Sequence, residues 1–325
     1  MLTDRLGIVH PQRREGFRSN GVLECWSVGV ARCMIPFSHY SNTPIFHHSI
    51  RSPERGGHPT NTLATARGSN FNDATDIIMN TRLLLITLLC LANVTFADTT
   101  PNYATMSVLH PGTEKRHESF NEISKKGEAQ LVFLGDSITH GWDGAKGKAV
   151  WEKYWAPLKA ANFGIGGDRT EHVLWRLEHG NFDGLKPKAI VLMIGTNNTG
   201  HQGRPQKELN GAVYQCSAQQ TADGVKAILG KLKAKCPKAK ILLLAIFPRG
   251  ASNADKFRQQ NEATNAIIKG FADNKTVFFM DVNAKFLQPD GTLSKEIMPD
   301  LLHPNEKGYE IWAEAIQAKV KQLLK

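Results

Sequence analysis

Short apolar runs alternate with amphipathic stretches over most of the chain after residue 129. Five runs are apolar at nearly every position, which is typical of strands that are buried on both faces of a sheet. They cover residues 130–134, 160–163, 189–194, 241–246 and 276–280. Helical periodicity occupies residues 149–159, 170–178, 217–235, 255–271 and 305–324. Strands that alternate with helices in this way predict a parallel sheet.

Polar or glycine-rich turns follow the first four predicted strands. Their sequences are GDSITHG, GIGGDRT, GTNN and FPRG, in chain order. Ligands of open parallel sheets bind beyond the carboxyl ends of the strands. We therefore expect these four turns to meet at one edge of the sheet and to form the functional site.

Ser137 directly follows the first strand, at the predicted start of a helix. A hydroxyl at this position faces the ligand edge, and the neighbouring backbone amides can stabilise negative charge. Serine is also a good helix N-cap, so the segment by itself fits a capping residue as well as a nucleophile.

A serine nucleophile requires a base, and the base requires an orienting partner. Asp300 and His303 are three residues apart in a predicted turn before the last helix, where a carboxylate and an imidazole can meet. Pro304 favours a loop conformation at His303 and a helix start after it. The alternative is a surface histidine beside a capping aspartate. His140 is nearer to Ser137 in the sequence and is the second candidate for the base.

The negative charge that develops on a carbonyl oxygen must meet preorganised donors. The backbone N–H groups of Ser137 and Gly167 and the side-chain amide of Asn197 belong to three different strand ends that can converge. Taken singly, Gly167 could be a turn glycine and Asn197 a capping or turn residue. The three together, all at strand ends, favour an oxyanion hole.

The motifs resemble those of the GDSL/SGNH hydrolase family, and closely those of its platelet-activating-factor acetylhydrolase-like branch. The matching segments are GDSITHGW, NFGIGGDRTEHVLWRL, VLMIGTNN, FPRG and DLLHPNEKGY. The resemblance implies that Ser137, Gly167, Asn197 and His303 occupy the four family-defining positions and that Asp300 completes the triad. It also implies the SGNH hydrolase fold, a flavodoxin-like three-layer α/β/α sandwich with a five-stranded parallel sheet.

Other motifs do not support a cofactor or a metal. The glycines near residue 165 lack the last glycine of a dinucleotide-binding GxGxxG motif, because Arg169 stands there. No GxSxG motif is present, which argues against an ordinary α/β-hydrolase. The five cysteines contain no CxxC pair or zinc-ligand spacing. We therefore expect neither a cofactor nor a metal.

Residues 79–97 read MNTRLLLITLLCLANVTFA and predict a signal peptide. Arg82 supplies the positive start, residues 83–91 are apolar, and the small residues Thr95 and Ala97 precede the cleavage point. The alternative is a membrane anchor, but Asn93 and Thr95 interrupt the apolar run before the roughly 18 residues that a span requires. The sequence therefore predicts a secreted or periplasmic protein without a stable membrane anchor.

Residues 1–78 differ from the rest in their basic residues. They contain eight arginines and no lysine, whereas residues 98–325 contain six arginines and 25 lysines. They also lack sustained helical or strand periodicity. We expect translation to begin at Met79, or residues 1–78 to be a disordered extension, and residues 98–325 to form the hydrolase domain.

The formal net charge of +10 could indicate nucleic-acid binding, but the lysines are scattered over helices and are not interleaved with aromatic residues. We expect no nucleic-acid partner. By resemblance, the predicted substrate is a small ester with a short, acetyl-type acyl group, on a carbohydrate or, as the alternative, on a lipid. A catalytically inactive carbohydrate- or lipid-binding relative is a further alternative. The resemblance also suggests a homodimer.

Arg169 and Arg249 lie in the turns of the predicted ligand edge. They are candidates for contact with a polar or anionic part of the substrate. Salt bridging at the surface is the alternative for both.

Overall fold

The computed structural model describes residues 101–325, so the predicted signal peptide and the segment that precedes it lie outside the described residues. Five parallel strands form one sheet in the order β2-β1-β3-β4-β5. The strands are β1 (Leu131–Gly135), β2 (Ala160–Gly164), β3 (Ala189–Met193), β4 (Lys240–Leu244) and β5 (Val277–Met280). This is the strand order of flavodoxin-like sheets.

Eight α-helices accompany the sheet over residues 101–325. They are α1 (Glu114–Lys126), α2 (Ser137–His140), α3 (Lys148–Tyr154), α4 (Thr170–Glu178), α5 (Thr196–Gly200), α6 (Ala218–Lys235), α7 (Lys256–Ile268) and α8 (Glu306–Leu323). Among them, no helix is both long enough and apolar enough to cross a membrane.

Successive residues of each strand point to opposite faces of the sheet, and each face has its own core. On one face, Val132 and Leu134 pack in a cluster with residues of α1, α4, α6 and α7. On the other face, Leu131 and Phe133 pack in a cluster with residues of α3 and α8. The sheet therefore lies between two helical layers, and the predicted flavodoxin-like three-layer α/β/α fold is confirmed.

The structure differs from the sequence prediction mainly in helices. Helix α3 ends at Tyr154, and a 3-10 turn at Ala156–Leu158 with Pro157 replaces the last part of the predicted segment. Helix α1 was not predicted. Its buried side chains include His117, Asn121 and Ser124, which are polar, and Phe120 and Ile123 are the apolar residues of the helix, so the segment is too polar for a helix to be predicted from its periodicity.

Candidate active site

Ser137 is the first residue of α2, and one residue, Asp136, separates it from the end of β1. Asp136 is the N-cap of this helix, and its carboxylate accepts a hydrogen bond from the backbone N–H of Ile138 at 3.0 Å. The Oγ atom of Ser137 lies 2.8 Å from Nε2 of His303. The capping role considered for Ser137 thus belongs to its neighbour, and the serine hydroxyl faces an imidazole.

His303 lies in the loop between β5 and α8, and its ring is held by Asp300. Nδ1 of His303 is 2.6 Å from Oδ2 of Asp300. The other carboxylate oxygen accepts hydrogen bonds from the backbone N–H groups of His303, at 2.7 Å, and Leu302, at 3.1 Å. Partial burial favours the neutral acid, but these hydrogen bonds outweigh it and lower the pKa of Asp300. The carboxylate is therefore ionised at neutral pH and fixes Nδ1 of His303 as the protonated nitrogen.

Gly167 and Asn197 follow the ends of two different strands, and Asn197 contacts the residue after Gly167. Gly167 adopts a φ of +82°, which is accessible to glycine at little cost. The Nδ2 atom of Asn197 donates to the carbonyl oxygen of Asp168 at 2.9 Å. One hydrogen of the Asn197 amide is therefore used for anchoring and the second is left for another acceptor.

His140 does not contact Ser137 as a base would; it contacts the glycine turn. Its Nδ1 atom accepts a hydrogen bond from the backbone N–H of Gly166 at 3.2 Å. Burial, and then the nearby charge of Arg116, lower the pKa of His140, which keeps this nitrogen an acceptor at neutral pH. The structure brings His303, and not His140, to the hydroxyl of Ser137.

Arg169 is buried, with 1% of its surface exposed. Its guanidinium group pairs with Glu171, at 2.6 Å, and with Glu208. It also lies 4.4 Å from the centroid of the Tyr214 ring. This placement favours the salt-bridging interpretation of Arg169 over substrate contact, although the ion pairs are buried and not at the surface.

Arg249 is half-buried at the end of the segment after β4. Its Nη1 atom donates to the carbonyl oxygen of Thr196 at 2.8 Å and to Oγ1 of the same residue at 3.1 Å. Thr196 is the residue before Asn197, so Arg249 lies beside the helix that carries the candidate oxyanion donor.

A buried charge network behind Gly167 could not be found from the sequence. Asp168, which has no exposed surface, pairs with Arg176 at 2.8 Å and with Nδ1 of His110 at 2.8 Å. The His110 ring also packs near Gly167, where a Cβ atom would lie 3.1 Å from Cε1 of His110. His110 belongs to a loop segment without periodicity, so only the tertiary structure reveals its position.

His110, Asp168 and His172 place their ligand atoms within 4.8 Å of one another, a spacing at which a metal ion could be held. These ligand atoms already have hydrogen-bond partners within the protein, however. Asp168 binds Arg176, and Nδ1 of His172 accepts from the backbone N–H of Arg169 at 3.1 Å. Two buried guanidinium groups next to the cluster disfavour a further cation, so these residues fit a hydrogen-bonded network better than a metal centre.

The comparisons with known proteins agree on one family. The model of the GDSL-like lipase/acylhydrolase family matches residues 133–311. Platelet-activating factor acetylhydrolase IB subunit alpha1 of Homo sapiens is 34% identical over 209 residues, which cover 64% of this chain and 82% of that protein. The alpha2 subunit of Mus musculus is 33% identical over 210 residues, with 64% and 83% covered.

Solved structures show the same fold. A GDSL-like lipase from Bacteroides thetaiotaomicron has a TM-score of 0.50 and 21% identity, and the match covers 64% of this chain and 97% of that one. A candidate acylhydrolase from Bacteroides fragilis has a TM-score of 0.52 and 22% identity, with 66% and 98% covered. At these identities the likeness concerns the fold alone.

Proposed function

The chain belongs to the GDSL-like lipase/acylhydrolase family and is an ester hydrolase, and from this premise we propose that Ser137, His303 and Asp300 form its catalytic triad. One observation carries the proposal. The contacts from Oγ of Ser137 through the imidazole of His303 to the carboxylate of Asp300 are unbroken, at 2.8 Å and 2.6 Å. Each group thus has the partner that its role requires.

In the proposed reaction, Oγ of Ser137 attacks the ester carbonyl carbon while Nε2 of His303 accepts the hydroxyl proton. Asp300 stabilises the resulting imidazolium. The imidazolium then protonates the departing alkoxide, which leaves an acyl-enzyme on Ser137. Water attacks this ester in the second step, with His303 again as the base, and the acid product is released.

The proposed oxyanion hole consists of the backbone N–H groups of Ser137 and Gly167 and the Nδ2 group of Asn197. Among residues 101–325, neither of the two backbone groups has a hydrogen-bond acceptor. Both are therefore free to meet a developing alkoxide, and fixed donors of this kind are worth more in the transition state than in the ground state.

The proposed substrate is a short-chain, acetyl-type ester. The names of the curated relatives, which are acetylhydrolase subunits, support the acetyl group. We favour an acetylated carbohydrate, because the sequence of residues 79–97 predicts secretion or a periplasmic location. Those same relatives make a lipid acetyl ester the second candidate. A homodimer is also proposed, and light scattering of the purified protein tests it.

The triad is tested with p-nitrophenyl acetate, butyrate and octanoate. We expect Ser137→Ala to lose nearly all turnover, whereas the control variant Ser119→Ala, at an exposed position of α1, keeps wild-type rates. Acetate is expected to be the best of the three esters. Equal rates for wild type and Ser137→Ala would contradict the triad and would favour an inactive binding protein.

The substrate and the location are tested separately. Release of acetate from a peracetylated oligosaccharide is compared with release from an acetylated alkyl glycerophosphocholine, and faster release from the lipid would replace the carbohydrate proposal.

N-terminal sequencing of the native protein tests the location, and we expect the first residue to be Asp98. A peptide from residues 1–78 would contradict a translation start at Met79.

A further inference from the structure

Arg249 differs from the other arginines that are shielded from solvent between residues 101 and 325. Three of these pair with carboxylates, and Arg258 uses Nε, Nη1 and Nη2 to donate to three backbone carbonyls. The three paired residues are Arg116, Arg169 and Arg176. Arg249 uses only Nη1, and no carboxylate of residues 101–325 lies within 4.0 Å of it. A half-buried guanidinium with most of its donors free is uncommon, because shielded charges are usually paired.

Contacts with three residues fix the position of the Arg249 guanidinium group. Its guanidinium lies 5.1 Å from the centroid of the Phe257 ring, and Nη1 is fixed on Thr196. Gly200 makes room for it, because a Cβ atom there would lie 2.8 Å from Nη1. The guanidinium is thus held in one place by contacts that do not neutralise its charge.

Arg249 also lies between the two segments that carry the proposed chemistry. Thr196 precedes Asn197 in α5, and the backbone N–H of Gly250 donates to the carbonyl oxygen of Leu301 at 2.9 Å, two residues before His303. Arg249 therefore lies between α5 and the loop that carries His303, and its charge acts on Asp136, the neighbour of Ser137.

Among residues 101–325, no charged side chain forms a direct ion pair with Arg249. Asp136 and Asp255 are the nearby carboxylates and Arg204 is the nearby cation. Burial raises the pKa of Asp136 to about 7, so this carboxyl group is largely protonated below neutral pH. Asp255 is occupied as the N-cap of α7, where it accepts from the backbone N–H groups of Phe257 and Arg258. Burial is also the largest influence on Arg249 and lowers its pKa, although a guanidinium stays charged at neutral pH.

We propose that Arg249 is the anchor of an anion-binding subsite and that the ester substrate carries a carboxylate or phosphate group close to its acyl ester. The inference rests on the proposed function, because the subsite is defined relative to Ser137. The planar guanidinium with free donors matches the two oxygens of a carboxylate or a phosphate. Two sources provide such a group: a uronic acid unit of an acetylated polysaccharide and the phosphate of an acetylated lipid.

The subsite is tested with two acetyl esters that differ in one charge, 4-acetoxybenzoate and methyl 4-acetoxybenzoate. In the wild type we expect the anionic ester to have the higher kcat/KM. In Arg249→Gln the ratio of kcat/KM, anionic over neutral, is expected to fall by about 10- to 100-fold, which is the usual worth of a charge-assisted hydrogen bond. Arg249→Lys keeps the positive charge but loses the planar pair of donors that can bind two oxygens at once, so we expect an intermediate ratio.

The matched control is Lys238→Gln. Lys238 is exposed and lies just before β4, at the end of the sheet opposite to Ser137. The Lys238→Gln variant removes one positive charge, as Arg249→Gln does, and we expect it to leave the ratio of kcat/KM unchanged. Activity on the neutral ester reports folding of each variant. An equal ratio in wild type and Arg249→Gln overturns the subsite, whereas loss of both esters in the wild type contradicts the proposed function.

The source of the anion is tested by inhibition of neutral-ester hydrolysis. We expect either galacturonate or glycerol 3-phosphate to inhibit the wild type competitively and to inhibit Arg249→Gln at least tenfold more weakly. Preference for galacturonate indicates an acidic polysaccharide, and preference for glycerol 3-phosphate indicates a phospholipid. Equal inhibition of both proteins by each compound would overturn the subsite even where the ester ratio is ambiguous because of folding.

Discussion

Asn197 and Asn198 are adjacent residues with different surroundings. Asn197 donates one amide hydrogen to Asp168 O at 2.9 Å and has a second hydrogen available. Asn197→Asp keeps the shape and removes the donor, so we expect kcat to fall by roughly 10²- to 10³-fold with a small change in KM. Steady-state kinetics on p-nitrophenyl acetate measures this, and a variant with unchanged kcat would exclude Asn197 from the oxyanion hole.

Asn198→Asp is the comparison variant. Nδ2 of Asn198 donates to Thr170 Oγ1 at 2.8 Å and to the carboxylate of Glu171 at 3.1 Å, both buried. A second carboxylate beside Glu171 would be repelled, so we expect this variant to lose stability. Urea unfolding is therefore expected to separate the neighbours: a lower midpoint for Asn198→Asp and a specific loss of kcat for Asn197→Asp.

His140 is expected to position the glycine turn. Without the acceptor at Nδ1, the peptide at Gly166 is no longer held, and the adjacent N–H of Gly167 can turn away from the oxyanion. His140→Ala should lower kcat by about three- to tenfold, the usual worth of one neutral hydrogen bond. His140→Asn should recover most of it, since its side-chain oxygen can accept the same N–H. If both variants lose activity through a higher KM alone, His140 contacts substrate and does not position the turn.

Residue identities predicted which side chains the candidate site brings together, but not the surroundings of these side chains. The sequence predicted Ser137, Asp300 and His303 as one group, with His140 as the second candidate for the base, and the structure brings the first three together. Arg169 and Arg249 could not be distinguished, because both follow strands in polar turns. The difference arises from Glu171 and Glu208, which pair with Arg169 in the folded chain.

At the level of elements, β2 and α2 meet through a glycine. A Cβ atom on Gly164 would lie less than 3.0 Å from the backbone of Thr139 and His140. Gly164→Ala must therefore displace α2 or β2, and we expect a loss of at least about 1–3 kcal/mol in the free energy of unfolding together with lower activity. Urea unfolding and ester hydrolysis measure the two effects.

Gly230 provides the opposite case. It is exposed within α6, and a Cβ atom there meets nothing within 4 Å. Gly230→Ala should raise the free energy of unfolding by about 0.5–1 kcal/mol with unchanged activity, because alanine favours a helix interior. Similar losses of stability in both variants would mean that the close packing of Gly164 on α2 is unimportant.

The strands were easier to predict than the helices, for a physical reason. Each of the five strands was located to within about two residues, since a strand buried on both faces is an unbroken apolar run. Helix α1 was missed because polar side chains, among them His117 and Asn121, line its buried face. Helices α2 and α5, with four and five residues, are too short to show a period. These two short helices carry Ser137 and Asn197. The elements that hold candidate site residues therefore show the weakest periodicity in the sequence.

For the whole molecule, the burial of the Asp136 carboxyl group makes the free energy of unfolding depend on pH. Its carboxyl group is 1% exposed, and burial, aided by the charge of Asp168, raises its pKa to about 7 despite the hydrogen bond from Ile138 and the charge of Arg249. In the unfolded chain an aspartate titrates near pH ~4. Between about pH 4 and 7 the folded protein thus keeps a proton that the unfolded chain releases, and this group's contribution to stability falls as the pH rises.

Asp136→Asn removes that dependence and retains an acceptor for the Ile138 N–H. Other carboxylates, such as Asp300, have lowered pKa values and act in the opposite direction, so the difference between variant and wild type is the quantity to measure. We expect the free energy of unfolding of the variant to exceed that of the wild type by on the order of a few kcal/mol at pH 8 and by little at pH 4.5, as determined by urea unfolding.

Asp281→Asn is the control, because Asp281 accepts a similar hydrogen bond from Asn283 N–H at 2.9 Å but is exposed. Its difference from the wild type should be the same at both pH values. If Asp136→Asn behaves like this control, the buried carboxyl group is not protonated in the folded protein, and Asp136 would then be a carboxylate beside Arg249 that competes with the proposed anionic ligand.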